Sequence, residues 1–180
     1  MSTAELEKLL DTAEYLFYER GYQAVGMDEI RAASGLSLKR IYSLVGSKEQ
    51  LAVRMLRRRD EKWHADLKVY VDKAGENQRI IAIFDWLQDW LSDAGHRGCA
   101  WINIAGEMGA ISPPIFEEAR RHKKRFLDFI RTTAASSGLG EGDATVIFLL
   151  AEGMMSASGI SENPQIALPV KNEIIRFVQS

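Results

Sequence analysis

The sequence predicts an all-α protein of about nine helices. Apolar residues recur at intervals of three and four along most of its 180 residues, no stretch alternates with period two strongly enough for a strand, and glycine and proline fall between the periodic segments. The pattern divides into an N-terminal three-helix, helix-turn-helix segment over residues 1–47 and a helical C-terminal body over 48–180, with a long fourth helix as connector.

The first helix spans Thr3–Arg20: Leu6, Leu9, Leu10, Ala13, Leu16 and Phe17 form its apolar stripe, and Gly21 ends it. A short helix over Met27–Ala33 carries Met27, Ile30 and Ala33 at helical spacing, and Gly35 supplies the turn that follows. Ser37 is a good N-cap for a third helix over Leu38–Leu44, with Ile41 and Leu44 inward and Lys39, Arg40 and Ser43 outward. Two short helices around a Gly-containing turn, the second basic and exposed, suit a DNA major groove. The candidate DNA-contacting residues are Ser37, Leu38, Lys39, Arg40, Tyr42, Ser43 and Lys48.

Ser47 with Gln50 reads as a capping box opening the fourth helix, which runs through Leu51, Met55, Trp63 and Leu67 to about Val71. A linker at Asp72–Asn77 precedes a fifth helix, marked by Ile80, Ile83, Phe84, Leu87, Trp90 and Leu91, that stops near Gly95. After a tight Gly95–Gly98 loop comes a helix over Cys99–Met108. Ser112 before Pro113 and Pro114 starts the seventh, which extends to about Ala135. The Ser136–Gly142 loop breaks it, Asp143 is expected to cap an eighth helix to about Ser158, and a last helix covers Val170–Gln179 after a turn at Pro164 and Pro169.

Charge is unevenly placed. The net charge is −2, yet eight basic residues face one acidic residue between Arg31 and Arg59, a footprint suited to phosphate. Cys99 is the only cysteine, which excludes an internal disulfide and fits a reducing compartment. The N-terminus has no secretory pattern, and uninterrupted apolar runs such as Val146–Ala151 are far shorter than a bilayer span, so a cytoplasmic protein with no membrane partner is expected.

A helix ending in ERGY, then MDEI, ASGLS, IY and GSKEQL, in that order within residues 3–51, resembles the TetR (tetracycline-repressor-like) family of bacterial transcriptional regulators. The resemblance implies a homodimer bound to double-stranded, palindromic operator DNA, with a C-terminal effector cavity. It carries Tyr42 and Lys48 over directly as phosphate contacts. Where the family usually has Thr or Ser, this chain has Gly26, and after the tyrosine it has Ser43, Leu44 and Val45. Both departures shift expected affinity towards Lys39 and Arg40.

Two helices at the chain's end, apolar enough to need cover, point to a four-helix dimer interface through Ile147, Ala151, Met154, Met155, Val170, Ile174 and Phe177, and the resemblance implies the same. The alternative is that these stripes cover the chain's own core. The helices that enclose the family's effector cavity carry Trp86, Trp90, Trp101, Met108 and Phe116, with Asn103 and Glu107 as polar anchors, implying a small hydrophobic effector; the same aromatics could equally be core packing. His96 and Cys99 lie three apart, but no further ligands share their spacing and His64 and His122 stand alone in sequence, so neither a metal, another cofactor nor a catalytic residue is expected. The sequence thus supports a ligand-responsive repressor, with an effector-free DNA-binding or protein-interaction module, whose C-terminal body only dimerises, as the alternative.

Overall fold

The computed structural model describes residues 2–108 and 110–179, and these form nine α-helices and no strand. In order they are α1 (Ser2–Arg20), α2 (Met27–Ser34), α3 (Leu38–Val45), α4 (Lys48–Asp72), α5 (Arg79–Leu91), α6 (Ala100–Met108), α7 (Pro113–Ser136), α8 (Glu141–Ser161) and α9 (Leu168–Gln179), with 3-10 turns at Glu76–Gln78 and Pro164–Ala167.

The chain divides into two compact units: Met1–Glu61 with Ala100–Arg121, and Lys62–Cys99 with His122–Ser180. α4 is one unbroken helix whose first half supplies Leu51, Ala52, Met55 and Leu56 to the first unit's core. In that unit α1 packs on α2 and α3. Leu9, Leu10, Ala13, Leu16 and Phe17 are buried there with Ile30, Ile41 and Val45, while Trp101, Ile104 and Ile115 are buried on the later segment.

In the second unit α5 packs on α8 and α9, burying Ile83, Phe84 and Leu87 of α5, Ile147, Ala151, Met154 and Met155 of α8, and Ile174 of α9. Trp63 stands edge-on to Trp86, Trp90, His122 and Phe126, with centroids 5.0–6.1 Å apart, the geometry that aligns ring edges with ring faces. His64 and His122, isolated in sequence, are neighbours here with ring centroids 5.4 Å apart.

Two helix starts differ from expectation. α8 begins at Glu141, not Asp143; Asp143 sits in the first turn and its Oδ2 accepts from the Gly140 N–H at 2.8 Å. A carboxylate at that position satisfies the N–H of the N-cap residue and complements the helix dipole. Pro169 lies within the first turn of α9, where its missing N–H is harmless. By length and composition α8 is also apolar enough to cross a membrane. No uninterrupted run reveals this, because its apolar residues are interleaved with small ones, and its inward side forms the unit's core.

Candidate DNA-binding interface

The α2–α3 turn is set by local chemistry. Gly35 adopts φ +69, and its N–H bonds to the Arg31 carbonyl at 3.0 Å, ending α2. Ser37 Oγ then accepts from the Arg40 N–H at 3.2 Å and starts α3. Gly26 begins α2 with no side-chain cap, as its missing hydroxyl requires. Ile41 and Val45 are buried, so Lys39, Tyr42 and Ser43 are left on the exposed side of α3, with Leu38 half-buried. At the far end the Arg54 guanidinium donates to the Leu44 carbonyl at 3.0 Å.

The basic cluster seen in the sequence is largely matched by acids within the first unit. Arg58 pairs with Glu7, Asp11 and Glu14 of α1 at 2.7–3.1 Å, Arg59 with Glu14 at 2.7 Å, and Arg57 with the buried Glu118 at 2.7 Å. Arg40 does not point freely outward: its Nε and Nη2 both engage Glu5 Oε2, Nε at 3.1 Å, and this bond holds the Glu5 carboxyl below its usual range. Lys39 is exposed and has no ion-pair partner among the described residues. Lys48 is half-buried; its Nζ donates to the Tyr22 carbonyl at 2.6 Å and lies 4.2 Å from the Tyr22 ring centroid. Burial pushes the Lys48 ammonium down from its ordinary value, and the Glu107 carboxylate opposes that shift.

Glu107 is bound to the turn between α1 and α2. Its carboxylate accepts from the Tyr22 and Gln23 N–H groups at 3.1 and 2.8 Å, and Gln23 Nε2 returns a bond to the Glu107 carbonyl at 2.8 Å. The sequence assigns this residue to an effector; no local signal could link it to a turn 84 residues away. Removing the carboxylate leaves two donors unpaired, so Glu107→Ala is expected to cost about 1–3 kcal/mol. Faster hydrogen exchange at the Tyr22 and Gln23 amides would report it. Unchanged protection at both would show that the bonds carry no stability.

Of the other effector candidates, Trp86 and Trp90 belong to the second unit, where their rings stack at 9° and 6.1 Å. Trp101, Asn103, Met108 and Phe116 belong to the first, Trp101 buried, Asn103 exposed, and Phe116 beneath the Arg120 guanidinium at 4.6 Å. The dimer candidates Ile147, Ala151, Met154, Met155 and Ile174 are buried within their own unit, while Val170 and Phe177 are half-buried. The uncovered side of α8 is instead Val146, Leu149, Gly153, Ala157 and Ile160. Those positions recur every three or four residues and form one stripe. Amphipathic reading missed it because α8 is apolar on both sides, so no polar face marks the outside. Cys99 is buried with Lys123 Nζ at 3.1 Å, and His96 Nδ1 is 3.1 Å from the Asp93 carbonyl.

A turn-linked helix pair, its second helix seated on Ile41 and Val45 with polar residues outward, forms a helix-turn-helix. Residues 9–55 match the family model of bacterial regulatory proteins, tetR family. Solved structures share the fold across almost the whole chain. A TetR-family transcriptional regulator from Streptomyces coelicolor superposes with a TM-score of 0.87 at 24% identity, covering 98% of this chain and 97% of its own. The reduced form of E. coli NemR gives 0.85 at 20%, covering 95% of each chain, and a TetR regulator from Chloroflexus aurantiacus gives 0.83 at 22%, covering 99% and 96%. No curated protein matches the chain. The match to the family model covers the N-terminal helices, and the likeness to these solved structures shows that the chain has their fold.

Proposed function

We propose that the chain is a cytoplasmic homodimeric repressor that releases a palindromic operator when a small, largely apolar effector binds its C-terminal body. The observation that carries this reading is the outer side of α3, where Lys39, Tyr42 and Ser43 stand exposed on a helix anchored by Ile41 and Val45. A helix so presented enters the major groove, and a lysine at a guanine edge discriminates bases. Tyr42 and Lys48 take phosphates; Lys48 must leave the Tyr22 carbonyl to do so, and Arg40 must share its guanidinium with Glu5.

The occupant of the exposed α8 stripe is a second copy of the chain. The stripe is long, apolar and studded with small residues, which suits close antiparallel helix packing about a two-fold axis. Two recognition helices are then held for two half-sites about one DNA turn apart. The packing of Trp86 and Trp90 against Trp63, and the engagement of Glu107 by the α1–α2 turn, favour a second reading in which the C-terminal body only dimerises.

Operator selection from random duplexes, followed by fluorescence anisotropy at fixed salt, tests the interface. Lys39→Ala should lower affinity for the selected operator by ~1–3 kcal/mol and change affinity for random DNA only a few-fold. Arg40→Ala should weaken both alike, because the Glu5 bond turns Arg40 away from base edges. Equal losses for Lys39→Ala on both DNAs would reduce Lys39 to a phosphate contact.

A further inference from the structure

The second unit contains an open cleft of about 430 Å³, lined by the last turns of α4, the first residue of α5 and the C-terminal half of α7. That volume lies within the range of small-molecule sites. Val71 and Phe129 contribute apolar lining, and Lys68, Arg79 and Arg125 contribute cations. The two acids of the lining are already matched: Asp72 pairs with Lys68, and Asp128 with Lys124 at 2.6 Å and Arg131 at 3.3 Å, neither of which lines the cleft.

Arg79 is the distinguishing group. Its Nε is buried and has no hydrogen-bond partner, a state that is costly unless something else accepts the bond. Arg79 is also the first residue of α5, which opens without a side-chain cap, so the positive end of the helix dipole adds to its charge. The hydroxyls cannot serve as further donors to an anion. Thr132, Thr133 and Ser136 already donate to the carbonyls of Asp128, Phe129 and Thr133 at 2.8–2.9 Å and offer only lone pairs.

We infer that this cleft binds an organic oxyanion with an apolar tail, the anionic head taken by the Arg79 guanidinium and the tail lying against Val71 and Phe129. A planar guanidinium offers Nε and Nη as a fork, which matches two oxygens of one carboxylate or phosphate. The inference names the chemical class of the effector and takes its regulatory meaning from the ligand-responsive reading above; binding itself is independent of DNA.

Isothermal titration of the full-length protein with decanoate, decyl phosphate and 1-decanol tests it. The two anions should bind at least ten-fold more tightly than the alcohol. Arg79→Gln should remove that difference, while Arg79→Lys, keeping the charge but not the fork, should keep part of it. Circular dichroism of both variants checks that helix content is retained. A stronger response to decyl phosphate than to decanoate assigns the head group as phosphate, and the reverse as carboxylate. Equal affinity for anions and alcohol, or an anion preference unchanged in a folded Arg79→Gln, overturns the site. Binding of the anion with no change in operator affinity would leave the site intact and refute the effector reading alone.

Discussion

Leu149→Glu should convert the proposed dimer into a monomer and sharply weaken operator binding. Leu149 is 61% exposed in the single chain, near the start of the Val146–Ile160 stripe, so a carboxylate there leaves the subunit's own packing untouched. In a two-fold interface the same substitution places two carboxylates in an apolar contact, each costing several kcal/mol to desolvate without a partner. Loss of the second half-site contact removes the gain from effective concentration, so operator affinity should fall by at least ~100-fold. Sedimentation equilibrium and anisotropy on the selected operator read the two effects. A variant that remains dimeric at wild-type concentrations would rule out the stripe. Ala151→Glu serves as a contrast: Ala151 is fully buried in its own unit, and a charge there should unfold the chain rather than separate two folded ones.

Gly159→Ala and Gly98→Ala should each destabilise the second unit severely. A Cβ on Gly159 would lie 2.7 Å from the backbone of Arg97 and Gly98, and one on Gly98 would lie 2.7 Å from the Met155 carbonyl oxygen. Both obstacles are main chain, so no side-chain rotation relieves them. Gly98 also has φ +72, which adds the penalty of the left-handed region for any residue with a Cβ. Overpacking and backbone strain together amount to roughly 2–4 kcal/mol for Gly98→Ala. At about 2–4 °C per kcal/mol for a chain of this size, the melting temperature should drop by roughly 5–15 °C. Gly106→Ala is the control, since nothing lies within 4 Å of its added Cβ on the exposed side of α6, and it should stabilise by about 0.5–1 kcal/mol. A Gly159→Ala protein melting with the wild type would show that α8 and the loop at Arg97–Gly98 part freely.

The helix-turn-helix was readable because its determinants are local. Ser37 and Gly35 act on groups within four residues of themselves, and Ile41 and Ile30 declare their buried sides by spacing alone. The same locality explains the helix order through α9 and the helix start at Pro113. Arg40 shows where such reading stops. Helical phase places it on the outer side of α3, but Glu5, 35 residues away, turns its guanidinium aside.

Chain order and side-chain periodicity thus determined the helices, most of their ends and the helix-turn-helix, because capping and amphipathic spacing act over one or two turns. Only the tertiary structure decided which charges remain available, which of the two apolar sides of α8 faces outward, and where a cleft opens beside Arg79. Those outcomes depend on partners far apart in sequence, such as Arg58 with Glu14, Glu107 with Gln23 and Gly98 with Gly159. Coulombic, hydrogen-bonding and close-packing contacts are set by distance in space, and no period along the chain records that distance.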